Sequence, residues 1–225
     1  MANSVNQIVK SRRIGMKDLY VAPVTQDEIT GYTAGTPIQL ARAISAKITT
    51  KKTVTNEYSD DSLEESIETF DSATISLNIN DLSPEMEALL LGATYDENGF
   101  LVDSATDISN PVALGWRDRR SDGKYEFIWL YVCRFNEGNE SDYETIEDEV
   151  KAQTPTLKGS IIPRQIDQKW RIRVNESYLL ANNTGASTAI KNWFGQVQEP
   201  TALNMQKTVS SPTTVVEPMN SSTPK

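Results

Sequence analysis

Apolar and polar residues alternate along two stretches of the first third of the chain. In AISAKITTK, 43 to 51, Ile44, Ala46 and Ile48 fall on one side while Ser45, Lys47 and Thr49 fall on the other. That two-residue period belongs to a half-buried strand. ATISLNIN, 73 to 80, repeats it with Ile75, Leu77 and Ile79. The two strands read as a long hairpin, with NEYSDDSLEESIE, 56 to 68, as the loop between them. Upstream, KDLYVAPVT, 17 to 25, reads as a first strand, followed by a loop through Gly31, Gly35 and Pro37.

A different period follows. DLSPEMEALLLG, 81 to 92, carries the signals of a short helix: Ser83 as N-cap, Pro84 in the first turn, Glu85 and Glu87 near the positive end, Gly92 just past the last turn. Ile190, Trp193, Phe194 and Val197 recur at helical spacing and predict a second helix over 187 to 197. Between them PVALGWRDRR and KYEFIWLYVCRF, joined by SDGK, read as a hairpin in which Asp122-Gly123 supplies a type I′ turn. Strict alternation in its second strand puts Tyr125, Phe127, Trp129, Tyr131, Cys133 and Phe135 on one face and Ile128, Leu130 and Val132 on the other. Both faces are apolar, so a helix or another subunit has to cover each. TPTLKGSII, 154 to 162, turns near 165 to 168 into KWRIRVN, with Trp170, Ile172 and Val174 inward and Arg171 and Arg173 outward. Trp116, Trp129, Tyr131, Trp170, Trp193 and Phe194 are the expected aromatic core. DENG, 96 to 99, reads as a β-turn.

Charge then changes the picture. The stretch 56 to 68 holds Glu57, Asp60, Asp61, Glu64, Glu65 and Glu68 without a base, and 137 to 149 holds Glu137, Glu140, Asp142, Glu144, Glu147, Asp148 and Glu149, again without one. Six and seven, these are thirteen of the 31 acids, and the other 18 face all 22 bases. Two acidic loops therefore project from a mildly basic body, although the chain as a whole stands at −9. That balance excludes a coat for nucleic acid. Lys10, Arg12, Arg13, Arg117, Arg119 and Arg120 are the expected basic partners of the loops, on another copy of the chain, where such pairs fix orientation more than affinity.

Most site chemistry loses its usual residues. The chain has no histidine and one cysteine, which removes the commonest general base and metal ligand and any internal disulfide. No phosphate loop, GxSxG, HExxH or CxxC occurs, and neither acidic stretch has the spacing of a calcium loop. Cys133 reads as a small core hydrophobe. No catalytic, cofactor-binding or metal-ligating residue is assigned. With 225 residues, one domain over 14 to 197 is the simpler reading, between an N-terminal arm, 1 to 13, and a Ser/Thr/Pro-rich arm, 198 to 225, that lacks any period. No apolar run long enough to cross a bilayer and no signal-peptide core occur. The expectation is a soluble product of a reducing cytosol.

The order of features, IGMKDLYVAPVT, ISAKITT, NEYSDD, DLSPEMEALLLG, PVALGWRDRRSDGKYEFIWLY, TPTLKGSI, then KWRIRVN and IKNWF, resembles the major tail proteins of long, non-contractile-tailed bacteriophages. The resemblance spans about residues 13 to 197. It implies a β-sandwich or distorted barrel flanked by a helix, of which six copies form a ring. Stacked rings make a tube in the virion tail, built in the bacterial host cytoplasm around a tape-measure protein and bounded by terminator and distal tail or baseplate proteins. DNA passes through without specific binding, and there is no membrane insertion. YSDD, 58 to 61, falls where relatives place a loop that reaches a neighbouring subunit or ring. Negative lumen walls, also implied, repel DNA. The tail from Gln198 departs from relatives that end near the IKNWF helix or append an immunoglobulin-like domain, and is expected to lie on a neighbouring subunit or the tube exterior. Two other readings predict different behaviour: a tail terminator or baseplate-adaptor ring, and a monomeric β-sandwich carbohydrate-binding module with exposed aromatics around a groove.

Overall fold

A computed structural model describes residues 10 to 136, 140 and 153 to 199. The C-terminal arm beyond Glu199, the first nine residues and all of the second acidic segment except Glu140 lie outside the described residues. Within them the chain is mainly β and antiparallel. Its strands are β1 (Arg13–Glu28), β2 (Gly31–Ala34), β3 (Ile38–Ala41), β4 (Ala43–Ser59), β5 (Ser62–Ile79), the short pair β6 (Thr94–Tyr95) and β7 (Leu101–Val102), β8 (Val112–Arg120), β9 (Tyr125–Arg134), β10 (Thr156–Ile162) and β11 (Arg171–Asn175). The main sheet runs β2-β1-β8-β9-β10-β5-β4, with β3 added to β1 and β11 to β9. Of the expected loop through Gly31, Gly35 and Pro37, Gly31 instead begins β2, and Gly35 to Pro37 form the connection to β3, both strands pairing with β1.

Helix α1 (Pro84–Leu91) forms where its capping residues place it. The Ser83 hydroxyl accepts from the Met86 N–H at 3.4 Å and Gly92 closes the last turn. Leu90 then sits in the core. Helix α2 occupies Thr184–Lys191 rather than 187 to 197, because the chain tightens after Lys191 into turns with bonds from Trp193 N–H to Ile190 C=O and Gly195 N–H to Asn192 C=O. Trp193 and Phe194 therefore reach the core from turns, not from a helix face.

Two clusters of buried side chains lie on opposite sides of β1, β8 and β9. The first joins Leu19, Val21, Leu114 and Leu130 to Ile75, Leu77 and Ile79 of β5, Leu157 and Ile161 of β10, and Leu90 of α1. The second gathers Tyr32, Phe127, Trp129, Tyr131 and Val132 under Trp193, with Ile190 and Phe194 packed against it. The chain thus covers both faces of β9 by itself. Strict alternation along β9 fails at one point: Val112 pairs with Cys133 but Leu114 with Leu130, so Tyr131 and Val132 together oppose Ala113. This bulge shifts the parity by one. Cys133 and Phe135 move to the first cluster, and Val132 joins Trp129 and Tyr131 in the second. Gly115 faces Trp129 across the pair, where a Cβ would lie 2.5 Å from the indole ring.

The turn chemistry is the reverse of the expected one. Between β8 and β9 only Gly123 has positive φ, and Gly123 N–H bonds to Arg120 C=O while Arg120 N–H bonds to Lys124 C=O. That is a longer loop ending in a left-handed glycine, not a type I′ turn. The type I′ signature lies at Asp60-Asp61, where both φ angles are positive, 49° and 58°. β4 and β5 pair over their whole length, from Ala43 and Ile79 to Ser59 and Ser62, with register shifts after Ala43, Lys51 and Glu57. The first acidic segment is therefore no loop but the outer end of a hairpin. Ile44, expected inward, is the extra residue of a bulge between Ala43 and Ser45 and is exposed.

Candidate assembly surface

Every residue from Thr49 to Thr69 is exposed. About ten residues per strand, at roughly 3.3 Å each, make an arm on the order of 30 Å long. Unsupported two-stranded ribbons are marginal in water. This one also carries apolar side chains into solvent: Val54 is 53% exposed, Leu63 54% and Ile67 44%, and Tyr58, opposite Leu63, is 68% exposed. At its base Lys52 donates to Glu68 at 2.6 Å and Lys51 lies 3.2 Å from Asp71. The Lys52 bond and charge hold the Glu68 carboxyl below its ordinary range. Further out Glu57 stands directly opposite Glu65, an arrangement that destabilises a ladder. Among the described residues no basic group lies within 4 Å of Glu57, Asp60, Asp61, Glu64 or Glu65.

The body holds a second opposed pair, Asp118 on β8 and Glu126 on β9, and here the cations are built in. Arg13 donates to both oxygens of Glu126 at 2.9 Å, and Arg120 donates to Glu126 Oε2 at 2.9 Å. Arg13 also lies 3.6 Å from Asp118, and Arg173 lies 3.9 Å from Glu126. Burial pushes the Glu126 carboxyl up, but the Arg13 bond and the charges of Arg13, Arg120 and Arg173 outweigh it and hold the group below its ordinary range. Asp118 goes the other way: burial raises it, Glu126 adds to that, and Arg13 only partly opposes.

A third centre surrounds Arg164, which is 2% exposed. It donates to Asp167 at 2.9 Å and to Glu199 at 2.9 Å, and its guanidinium lies 4.2 Å from the centre of the Tyr131 ring and 5.0 Å from that of Tyr32. Nearby the Tyr131 hydroxyl donates to Gln198 C=O at 3.1 Å. Together these tie the end of the described chain to the second core.

Of the basic residues expected to await another copy, Arg13, Arg117 and Arg120 are engaged within the chain, Arg117 by Asp18 and the Tyr125 ring. The strands that carry them turn them onto carboxylates of the same sheet. Lys10, Arg12 and Arg119 have no carboxylate partner among the described residues. Glu140 pairs with Lys158; Glu137, Asp142, Glu144, Glu147, Asp148 and Glu149 lie outside the described residues. Trp116, Trp129, Tyr131 and Trp193 are buried, while Trp170 and Phe194 pack partly buried against the two clusters. Burial pushes the Cys133 thiol up, away from reactivity. Arg164, Arg171 and Arg173 were not singled out by charge counting. The alternation of KWRIRVN did place the last two together on one face, a signal that points to them; nothing in the sequence flags Arg164.

Among the described residues no three cysteine or carboxylate side chains converge as metal ligands, and no helix is long and apolar enough to cross a membrane. No protein-family model matches the chain, and no curated protein matches it.

Proposed function

We propose that the chain is the subunit of a phage tail tube, a structural virion protein whose sixfold rings stack into a hollow conduit for DNA around a tape-measure protein. The observation that carries this reading is the arm: a ribbon about 30 Å long, exposed on both faces, with apolar side chains and an uncompensated pair of acids at its outer end. Such a ribbon gains its stability from a partner. The open outer edge of β4, which pairs only with β5 among the described residues, supports lateral joining of sheets, since unpaired edges template strand addition. Two apolar layers flanking β1, β8 and β9 fit the β-sandwich of the tail-tube type. The ordered motifs described above supply the specific identity.

Sedimentation velocity of the purified full chain over a range of concentration and salt tests the reading. Hexamers and higher stacks at low salt support it. Rings that never stack favour a tail-end ring component, and a monomer at every concentration rejects assembly altogether.

A further inference from the structure

Beside the Glu126 centre two adjoining open hollows, about 700 and 500 Å³, share Arg13 and Arg173 as walls. Arg12, Arg120 and Arg171 complete the set, so five arginines face two acids, Asp118 and Glu126. The excess is felt locally: burial, then the charges of Arg173 and Arg13, lower the proton affinity of Arg171. Among the described residues Arg171 stacks on Trp170 at 4.2 Å and has no carboxylate partner within 4 Å. The margin of the groove is apolar, with Met16, Ile44 and Ile48, and Ile44 is exposed.

The outer end of the arm has the complementary character: five acids without a basic partner among the described residues, beside Tyr58 and Leu63. It cannot serve the groove of its own chain. Ala46, Ile48 and Thr50, which lead into the arm, line that groove, and the tip stands on the order of 30 Å further out. Resting on the self-assembly reading above, we infer that this arginine groove is the receptor for the acidic arm tip of a second copy. Donor and receptor are then different surfaces of one molecule. Used in one direction, such a head-to-tail contact closes into a ring or runs on as a filament, whereas a reciprocal exchange of arms would end as a twofold dimer. Opposed Glu57 and Glu65 would find between them the cations that Glu126 already has.

The test uses the full chain. Glu57→Lys with Glu65→Lys on the arm, and Arg171→Glu with Arg173→Glu in the groove, are each expected to raise the concentration needed for assembly about tenfold or more. The combined fourfold variant, with charges exchanged, is expected to recover most of the loss, with circular dichroism checking that each variant is folded. Because Arg173 abuts the buried Glu126, a second measurement avoids that centre: Glu65→Cys mixed with Arg12→Cys is expected to give disulfide-linked pairs between copies on mild oxidation, and no such link overturns the inference. Charge variants that assemble as well as the unaltered chain overturn the groove while leaving the tube reading in place. An unaltered chain that stays monomeric overturns both. If Arg171→Glu with Arg173→Glu abolishes binding of a duplex DNA probe without affecting assembly, the groove serves nucleic acid and the inference falls.

Discussion

Two pairs of carboxylates face each other across antiparallel strands in this chain, and their surroundings differ. Asp118 and Glu126 meet in the body, where Arg13, Arg120 and Arg173 converge on them. Glu57 and Glu65 meet near the end of an exposed ribbon, where no cation of the described chain reaches them. The same unfavourable juxtaposition is thus resolved inside the fold in one place and left open in the other. The first pair concerns stability, and on the reading proposed above the second concerns partners. Mutations should separate these two roles.

The largest effect is expected at the compensated pair. Glu126→Ala leaves three arginines around an empty position and should cost about 3 to 5 kcal/mol of unfolding free energy, as breaking a buried ion pair does. Urea denaturation measures it. Arg164→Leu should cost somewhat less, about 2 to 3 kcal/mol, since Asp167 and Glu199 regain water when the guanidinium leaves. Gly115→Ala forces a methyl onto the Trp129 ring and should lower stability by about 1 to 3 kcal/mol, with a blue- or red-shifted tryptophan emission as its signature.

Acid should sharpen the same contrast. Glu126 and Asp167 are held below the ordinary carboxylate value in the fold, so their stabilisation is complete above about pH 5 and fades as pH falls through their folded values. Asp118 has the opposite sign: its folded value lies above the ordinary one, so its ionisation weakens the fold and protonation relieves that. A thermal melt series from neutral to acid pH should show stability falling at the acid end, with Glu126→Gln flattening the fall. The smallest effect on the monomer belongs to the open pair. Glu57→Gln with Glu65→Gln should change unfolding free energy by less than about 0.5 kcal/mol and should be visible in assembly instead.

Features governed by neighbours in sequence were legible; those governed by a partner strand were not. Ser83, Pro84 and Gly92 announce α1 because capping is a local matter. The alternation in β5 announces Ile75, Leu77 and Ile79 as core for the same reason. The bulge at Tyr131 and Val132 depends on how β8 pairs with β9, and no period within β9 alone reveals it. Acids suppress strand signals, so 56 to 68 reads as loop although its residues continue the strand pairing that begins at Ala43 and Ile79. Arg12 and Arg13 look interchangeable in sequence; their places on the chain bind the second to Glu126 and leave the first without a carboxylate partner among the described residues. Of the candidate surface, then, the acids of 56 to 68 stand out in the sequence, whereas the arginines proposed to receive them do so only in part.

Electron microscopy of negatively stained full-length protein, at high concentration and low salt, tests the central claim most directly. The account predicts sixfold rings and tubes that dissolve as salt screens the arm from its groove. A field of separate single subunits under those conditions would contradict it.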